Sequence, residues 1–501
     1  MKRIIPLILA LLMLVSCLLV SCKKNEEKGD DTSVATSNAD DDSKEESKYL
    51  DELPEKDMGG YEFTVLTASR SDYIADTNFA NESDGSIYGE AIHRRNVSVA
   101  DRFNCNLVMR AEASDETLAG LMYEIMSGDC GFDMAMLSPV GNSNYVLEGY
   151  FLDWSKENMP YVDTTKPYYN ERMNAALTVA DSQYYLAGDF ANSITRFTYC
   201  WYFNMTLLRD VHHMDPDALY ELVANKQWTL ETAYQMIEKT ASDEGTLGEK
   251  DTEDTFGYVS NYYSASVAYN YAFNNPTMVM VDGYPQLNEN FYEKSVDIIE
   301  SVRNLFYDNR GSYVGDWGAE YTSWSSGKAL VVVSVFHDAL TWNDFKFNFG
   351  IVPYPMYDAS QNEYYSMVDG AHGLMVLPGT MPKEHMENNS IIIEALNSES
   401  ARISKPVFLD QTLKLRTFNE SIDKASEVID IISTSVVADF GYLFSNQIEG
   451  FPFMIQYVMK SQNEAAENRV DFSSLYEQYE DKNIGTYNSI ISRLISLSEG
   501  E

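Results

Sequence analysis

The sequence predicts an α/β fold, a sheet with helices on both faces, and three observations predict it. From Tyr61 onward, short apolar runs of strand length alternate with longer segments whose apolar residues recur every three or four positions. The chain is 45% hydrophobic and 13% aromatic, enough to fill a large core and to exclude wholesale disorder. Its 501 residues leave room for about three units or for one large two-lobed body.

The elements follow in order. Tyr61 to Thr67 reads as a strand, Ile87 to Phe103 as a helix, Asn106 to Arg110 as a strand, Glu116 to Met126 as a helix and Phe132 to Leu137 as a buried strand, which together make a βαβαβ unit. Ala135 to Pro139 then leads into a helix-compatible segment up to Gly149, followed by Phe151 to Trp154. No Gly-x-Gly-x-x-Gly or Walker-type loop follows any of these strands, so no nucleotide cofactor is expected. Farther along, Thr229 is placed to cap a helix on which Leu230, Ala233, Tyr234, Ile237 and Ala241 share one face. Trp228, just before that cap, reads as the packing residue that staples the incoming chain.

Ahead of the folded part lie two segments of other kinds. Lys2 and Arg3, an apolar stretch from Ile4 to Val20, and a small residue before a cysteine form an export signal. Its end resembles the lipobox of bacterial lipoproteins twice, as Leu14-Val15-Ser16-Cys17 and as Leu19-Val20-Ser21-Cys22. Cleavage before Cys22 is the expectation, because it leaves Lys23-Lys24-Asn25 in water, whereas cleavage before Cys17 leaves Leu18-Leu19-Val20 exposed. The other reading of the apolar run is an uncleaved signal anchor, since about twenty residues span a bilayer. Residues 23–48 carry nine acidic and five basic residues and no large apolar one. They read as a flexible tether reaching about 28 Å, from about 5.5 Å times the square root of its length.

Charge and cysteine usage narrow the function. The 77 acidic residues against 36 basic give a net charge of −41, which argues against nucleic acid or an anionic membrane surface as the main partner. Beyond the signal, Cys105, Cys130 and Cys200 cannot all pair, and no Cys-x-x-Cys or Cys/His spacing joins them, so buried thiols are expected rather than disulfides or zinc.

The middle of the chain carries a resemblance. Arg196-Phe197-Thr198-Tyr199-Cys200-Trp201-Tyr202-Phe203-Asn204, then Leu207-Leu208, Asp215-Pro216 and Trp228-Thr229-Leu230-Glu231, resemble a run found in bacterial extracellular solute-binding proteins of family 1, the sugar-binding lipoproteins of ABC importers. Trp324-Ser325-Ser326-Gly327-Lys328-Ala329-Leu330 and Asn348-Phe349-Gly350-Ile351-Val352-Pro353-Tyr354-Pro355, with Gln361 and Tyr364-Tyr365-Ser366, extend it in the same order. So do Arg94-Arg95-Asn96-Val97 and the stretch from Asp369-Gly370 to Pro378-Gly379, so that most of residues 61–440 is covered.

The resemblance implies a type II periplasmic-binding-protein fold, in which two α/β lobes joined by hinge crossings close on a ligand in the cleft between them. By that mapping the first lobe is 61–195 plus 336–380, the second is 196–335 plus 381–501, and the crossings lie near Thr198 and Val333. It implies a lipid-anchored receptor on the extracytoplasmic face of the cell membrane, held through Cys22. Such a receptor captures a carbohydrate, an oligosaccharide in the first instance, and acts as a monomer that delivers it to an ABC permease without cofactor or metal.

The family cradles sugars on aromatic faces with carboxylates and amides on the hydroxyls. Alignment of the Gly327-Lys328-Ala329-Leu330 turn puts Phe336 where many members carry a stacking Trp, and Asp338 two residues on shares its side of an extended strand. Trp201 is placed on one face of the first crossing strand, with the core as the competing position. Asp189 and Asn192, on the loop before it, are candidate hydroxyl binders, as are Asp369 and His372 around Gly370. A calcium-type loop at Asp243 to Gly248 is not expected, because Gly245 and Leu247 occupy ligand positions without a side-chain oxygen. A surface-tethered carbohydrate-active enzyme and a binding lipoprotein for a peptide or other polar solute are the alternatives. No Gly-x-Ser-x-Gly, His-Glu-x-x-His or Cys/His nucleophile arrangement supports an esterase or a metalloprotease.

Overall fold

The computed structural model describes residues 48–68, 86–112 and 125–499, apart from 126, 129, 156, 245, 247, 249, 252, 343, 415–421 and 449. The signal, both lipobox cysteines, residues 23–47 of the tether and, but for Ile125, the helix expected over 116–126 lie outside them.

Two five-stranded sheets organise the chain. The strands in chain order are β1 Tyr61–Ala68, β2 Cys105–Glu112, β3 Met134–Leu137 and β4 Phe151–Leu152. A small hairpin of β5 Thr178–Val179 and β6 Ser182–Gln183 comes next. Then follow β7 Tyr199–Asn204 and β8 Phe256–Asn261, a second hairpin of β9 Met278–Val281 and β10 Tyr284–Leu287, and finally β11 Ser312–Gly315, β12 Ala329–Val335, β13 Phe349–Val352 and β14 Leu374–Pro378.

The first sheet has the order β2-β1-β3-β14-β4 and the second β11-β8-β12-β7-β13. Each contains three adjacent parallel strands followed by an antiparallel one: β14 on β3 in the first, β7 on β12 in the second. In both cases the antiparallel strand is the one by which the chain arrives from the other sheet. Strands such as β3, β7 and β8 are buried along their whole length, which suits parallel sheets covered on both faces and reads in sequence as continuous apolar runs.

Local signals place the helices as expected. Helix Ile87–Phe103 has the bounds read from sequence; the Ser86 hydroxyl accepts the Gly89 amide at its start, and Asn104 at φ 49° ends it. Helix Leu230–Thr240 is capped by Thr229, and Trp228 is buried before it with its indole donating to the Pro353 carbonyl at 2.9 Å.

The structure departs from the sequence-based lobe boundaries at three points. Within 336–380, β13 pairs with β7 in the second sheet, while β14 alone joins the first. Helix Lys383–Glu399, expected with the second lobe, packs on Ile87–Phe103 instead, because its face of Ile391, Ile392, Ala395 and Leu396 is fully buried and its polar anchors lie in the first half. There Tyr61 donates to Asn389 at 2.9 Å, and Tyr168 and Tyr169 donate to Glu394 at 2.5 and 2.6 Å. Val333, expected near a crossing, sits inside β12 opposite Trp201. The second passage between sheets is at Met367–Asp369, which runs beside the first: the Tyr199 amide donates to the Met367 carbonyl and the Asp369 amide to the Phe197 carbonyl, both at 2.9 Å.

Candidate functional site

Ligands of open α/β sheets sit outside the carboxyl ends of the strands. In the second sheet β11, β8 and β12 are parallel neighbours, so their carboxyl ends form one edge, and that edge carries Asn261–Tyr263, Asp316–Trp317 and Ser334–Asp338. Trp317 stands in the turn between Gly315 and Gly318, whose φ of 86° only a glycine adopts freely, and is 65% exposed. The amide of Trp317 donates to Asp316 at 2.7 Å; with the hydroxyl of Tyr263 this holds the Asp316 carboxyl below the usual range. The same contact pushes the Tyr263 hydroxyl up to about 12. The rings of Tyr262 and Tyr263 lie 4.8 Å apart, and the Lys460 ammonium is 5.9 Å from the Tyr263 ring centre.

Behind this rim, Asp338 accepts hydrogen bonds from Tyr321 at 2.8 Å and from Ser334. Glu320 is 4% exposed; its Oε1 accepts from Asn261 at 3.0 Å, and burial lifts its carboxyl above the ordinary range. Asn261 in turn accepts the Tyr263 amide at 3.0 Å, so the buried carboxylate positions the aromatic pair.

The first sheet supplies the facing edge. β3 ends at Leu137, and Ser138 caps the next helix, Pro139–Leu147, while donating to the Gly370 carbonyl at 2.6 Å. β14 starts at Leu374, so Asp369 to Gly373 lie at this edge. Asp369 accepts from the Tyr199 hydroxyl at 3.0 Å and from the Ala371 amide at 2.9 Å. His372 is buried beside it, with Nδ1 2.7 Å from the Asp369 carbonyl; desolvation lowers its pKa and keeps the imidazole neutral, so Nδ1–H donates. Exposed ring faces with carboxylates already held as acceptors are a chemistry for binding hydroxyl-rich ligands.

The residues singled out from sequence divide between this edge and other places. Asp369, His372 and Asp338 lie at the carboxyl-end edges. Trp201 does not: it is fully buried between Trp228, Tyr258 and Tyr354, with ring centres 5.7, 5.2 and 6.0 Å away, because β7 is covered on both faces. Phe336 is fully buried as well, at the start of a short 3₁₀ turn, Phe336–Leu340, where the chain leaves the strand geometry that would have aligned it with Asp338; its amide donates to the Thr198 carbonyl. Asn192 is 1% exposed and bonded to the Tyr88 hydroxyl.

Asp189 pairs with Lys405 at 2.7 Å in the wall of a separate cavity of about 240 Å³ that Thr198 also lines. Cys105 and Cys200 are buried free thiols, burial pushing Cys105 up to about 11, and Cys130 is half-buried. In the 243–248 loop Asp243 accepts the Gly248 amide at 2.8 Å; positions 245 and 247 lie outside the described residues. Among the described residues, no group of three or more His, Cys, Asp or Glu side chains is arranged to hold a metal. Tyr263, Asp316 and Trp317 were missed in the sequence reading. The signal for them was a tryptophan inside a Gly-Asp-Trp-Gly turn at the end of a strand, where a buried ring has nothing to pack against.

No protein-family model matches the chain, and no curated protein is significantly similar to it. Solved structures are. A cyclo/maltodextrin-binding protein complexed with maltotetraose superposes with a TM-score of 0.54 at 13% identity, over 84% of this chain and 98% of that one. An ABC-transporter solute-binding protein from Thermotoga lettingae bound with α-D-tagatose gives 0.51 at 13%, over 85% and 100%. UgpB from Mycobacterium tuberculosis in complex with glycerophosphocholine gives 0.51 at 12%, over 87% and 99%. With its two sheets of matching topology and paired crossings, the chain has the type II periplasmic-binding-protein fold, two α/β lobes with a ligand cleft between them.

Proposed function

We propose that this protein is an extracytoplasmic solute receptor that captures a carbohydrate, an oligosaccharide in the first instance, and delivers it to an ABC import permease. The observation that carries the reading is the exposed Trp317 ring next to the ordered carboxylate Asp316, with Asp338 held on the same edge, at the carboxyl ends of three parallel strands. A pyranose offers one apolar CH face to a ring and a rim of hydroxyls to acceptors, so both halves of that surface have a counterpart. Two of the similar structures hold sugars, and the third holds glycerophosphocholine, which keeps another polar solute as the alternative. The anchor in this reading is a lipid on Cys22, with residues 23–48 as its tether; no helix among the described residues is long and apolar enough to cross a membrane.

A thermal-shift screen of the protein against oligosaccharides, peptides and phosphodiesters tests it. A ligand at 100 times its dissociation constant stabilises by about 2.7 kcal/mol. The reading predicts a shift with at least one oligosaccharide, which is recovered intact afterwards. Shifts with peptides alone would overturn the carbohydrate assignment, and hydrolysed sugar would make the protein an enzyme.

A further inference from the structure

We propose that the C-terminal helix, Phe472–Ser498, is a jointed strap between the lobes: its first half stays fixed beside the second sheet, and its second half undocks from the first as the lobes move. The inference rests on the two-lobed fold and makes no use of the ligand assignment. At about 1.5 Å per residue the helix is about 40 Å long, enough to reach both lobes. Rings hold its first half. Phe472 stacks 5.6 Å from Tyr292, Tyr476 lies 4.8 Å from Tyr292 and 5.2 Å from Phe451, and the Tyr292 hydroxyl donates to Ser473 at 2.9 Å. Tyr292 belongs to helix Phe291–Arg303, whose continuation brings Phe306 within 5.8 Å of Tyr258 on β8. The far end is held differently. Arg493 Nε donates to the Leu147 carbonyl at 2.9 Å and Leu497 lies against Gly149, in the segment that joins helix Pro139–Leu147 to β4 of the first sheet. Nearby, the Asn446 amide donates to the Gly141 carbonyl at 3.1 Å.

Three independent features put a weak point between the two ends. Gly485 sits in the helix interior with nothing within 4 Å of where a Cβ would stand, so no neighbour requires a glycine there, and glycine loosens a helix. On either side of it, the Thr486 hydroxyl donates to the Lys482 carbonyl and the Ser489 hydroxyl to the Gly485 carbonyl, both at 3.0 Å. Back-bonding of this kind competes with the helix's own hydrogen bonds and bends it. On the packed face, Asn483 and Tyr487 are fully buried one turn apart, and their polar side-chain atoms make no hydrogen bond among the described residues. Burying such groups costs free energy that lifting the helix into water returns. When the lobes turn, a helix fixed at both ends yields where its docking is weakest, at Gly485 and beyond.

Hydrogen exchange of the full-length protein, read by mass spectrometry, tests the joint. Amides of 486–498 are expected to exchange as one unit, faster than those of 473–484. Gly485→Ala is expected to slow exchange over 486–498 by about five-fold, and Arg493→Ala to speed it by about ten-fold, with 473–484 changed by less than about two-fold in either variant. A donor and an acceptor fluorophore test the link to lobe motion, carried by unnatural amino acids at the exposed positions Ser98 on helix Ile87–Phe103 and Glu231 on helix Leu230–Thr240. Without ligand, Arg493→Ala combined with Asn446→Ala is expected to broaden the distribution of distances between them. Exchange over 486–498 that ignores Gly485→Ala, or a distance distribution that the double variant leaves unchanged, would overturn the strap. Neither readout involves a sugar, so failure here leaves the receptor reading in place, and a chain that binds no sugar leaves the strap in place.

Discussion

Trp317 and Trp201 are the same residue type on neighbouring strand systems with opposite roles. Trp317→Ala is expected to weaken sugar binding about ten-fold, since a well-packed ring contributes on the order of 1 to 3 kcal/mol and 1.4 kcal/mol is one decade; calorimetry on the folded variant reads it. Trp201→Ala is expected instead to lower stability by about 3 to 5 kcal/mol, measured by denaturant unfolding, because it empties a site enclosed by Trp228, Tyr258 and Tyr354. The sequence put Trp201 on a strand correctly. It did not reveal that neither side is exposed, because a strand covered on both faces shows no alternation to read. Glu394 supplies a pH prediction. Burial raises its carboxyl to about 7 even with Tyr168 and Tyr169 donating to it. From about pH 4.5 to 7 the folded state therefore binds more protons there than the unfolded state, and stability falls as pH rises through that window, by on the order of 3 kcal/mol in all. Unfolding free energies of the wild type and Glu394→Gln at pH 5 and pH 8 isolate the effect: the wild type should lose more stability between the two pH values than the variant.

Among the elements, β8 depends on a residue with no side chain. A Cβ at Gly257 would collide with the backbone of Ile237, so helix Leu230–Thr240 lies directly on the strand there. Gly257→Ala is expected to cost several kcal/mol, on the order of 3, because the obstacle is backbone rather than a side chain that can rotate away. A thermal midpoint within about 2 °C of wild type would contradict this contact. Helix Ile87–Phe103 and the cap at Thr229 were legible because their signals are local: a hydroxyl acceptor, a left-handed Asn, an apolar stripe. The partners of β13 and of helix Lys383–Glu399 were not. β13 is apolar along its length and the helix carries an apolar stretch from Ile391 to Leu396, and such segments say that they are buried without saying against what. Asn389 and Glu394 carry the discriminating information, through hydrogen bonds to residues more than 200 positions away.

For the whole molecule, the two-sheet organisation followed from the order of weak motifs along the chain, and the similar topology of the two sheets agrees with it. The chain termini belong to the same account. If Cys22 carries the lipid, Cys22→Ala should abolish acylation and release the protein from membranes; acylated protein retained at the wild-type level would assign the site to Cys17 instead. The central claim is that two lobes close on a captured sugar about the paired strands at Phe197–Tyr199 and Met367–Asp369. Small-angle scattering of the protein with and without saturating oligosaccharide tests it most directly. A smaller radius of gyration in the bound state, with one sugar per chain recovered intact, is the predicted result; an unchanged radius at full occupancy, or a sugar recovered in pieces, would contradict it.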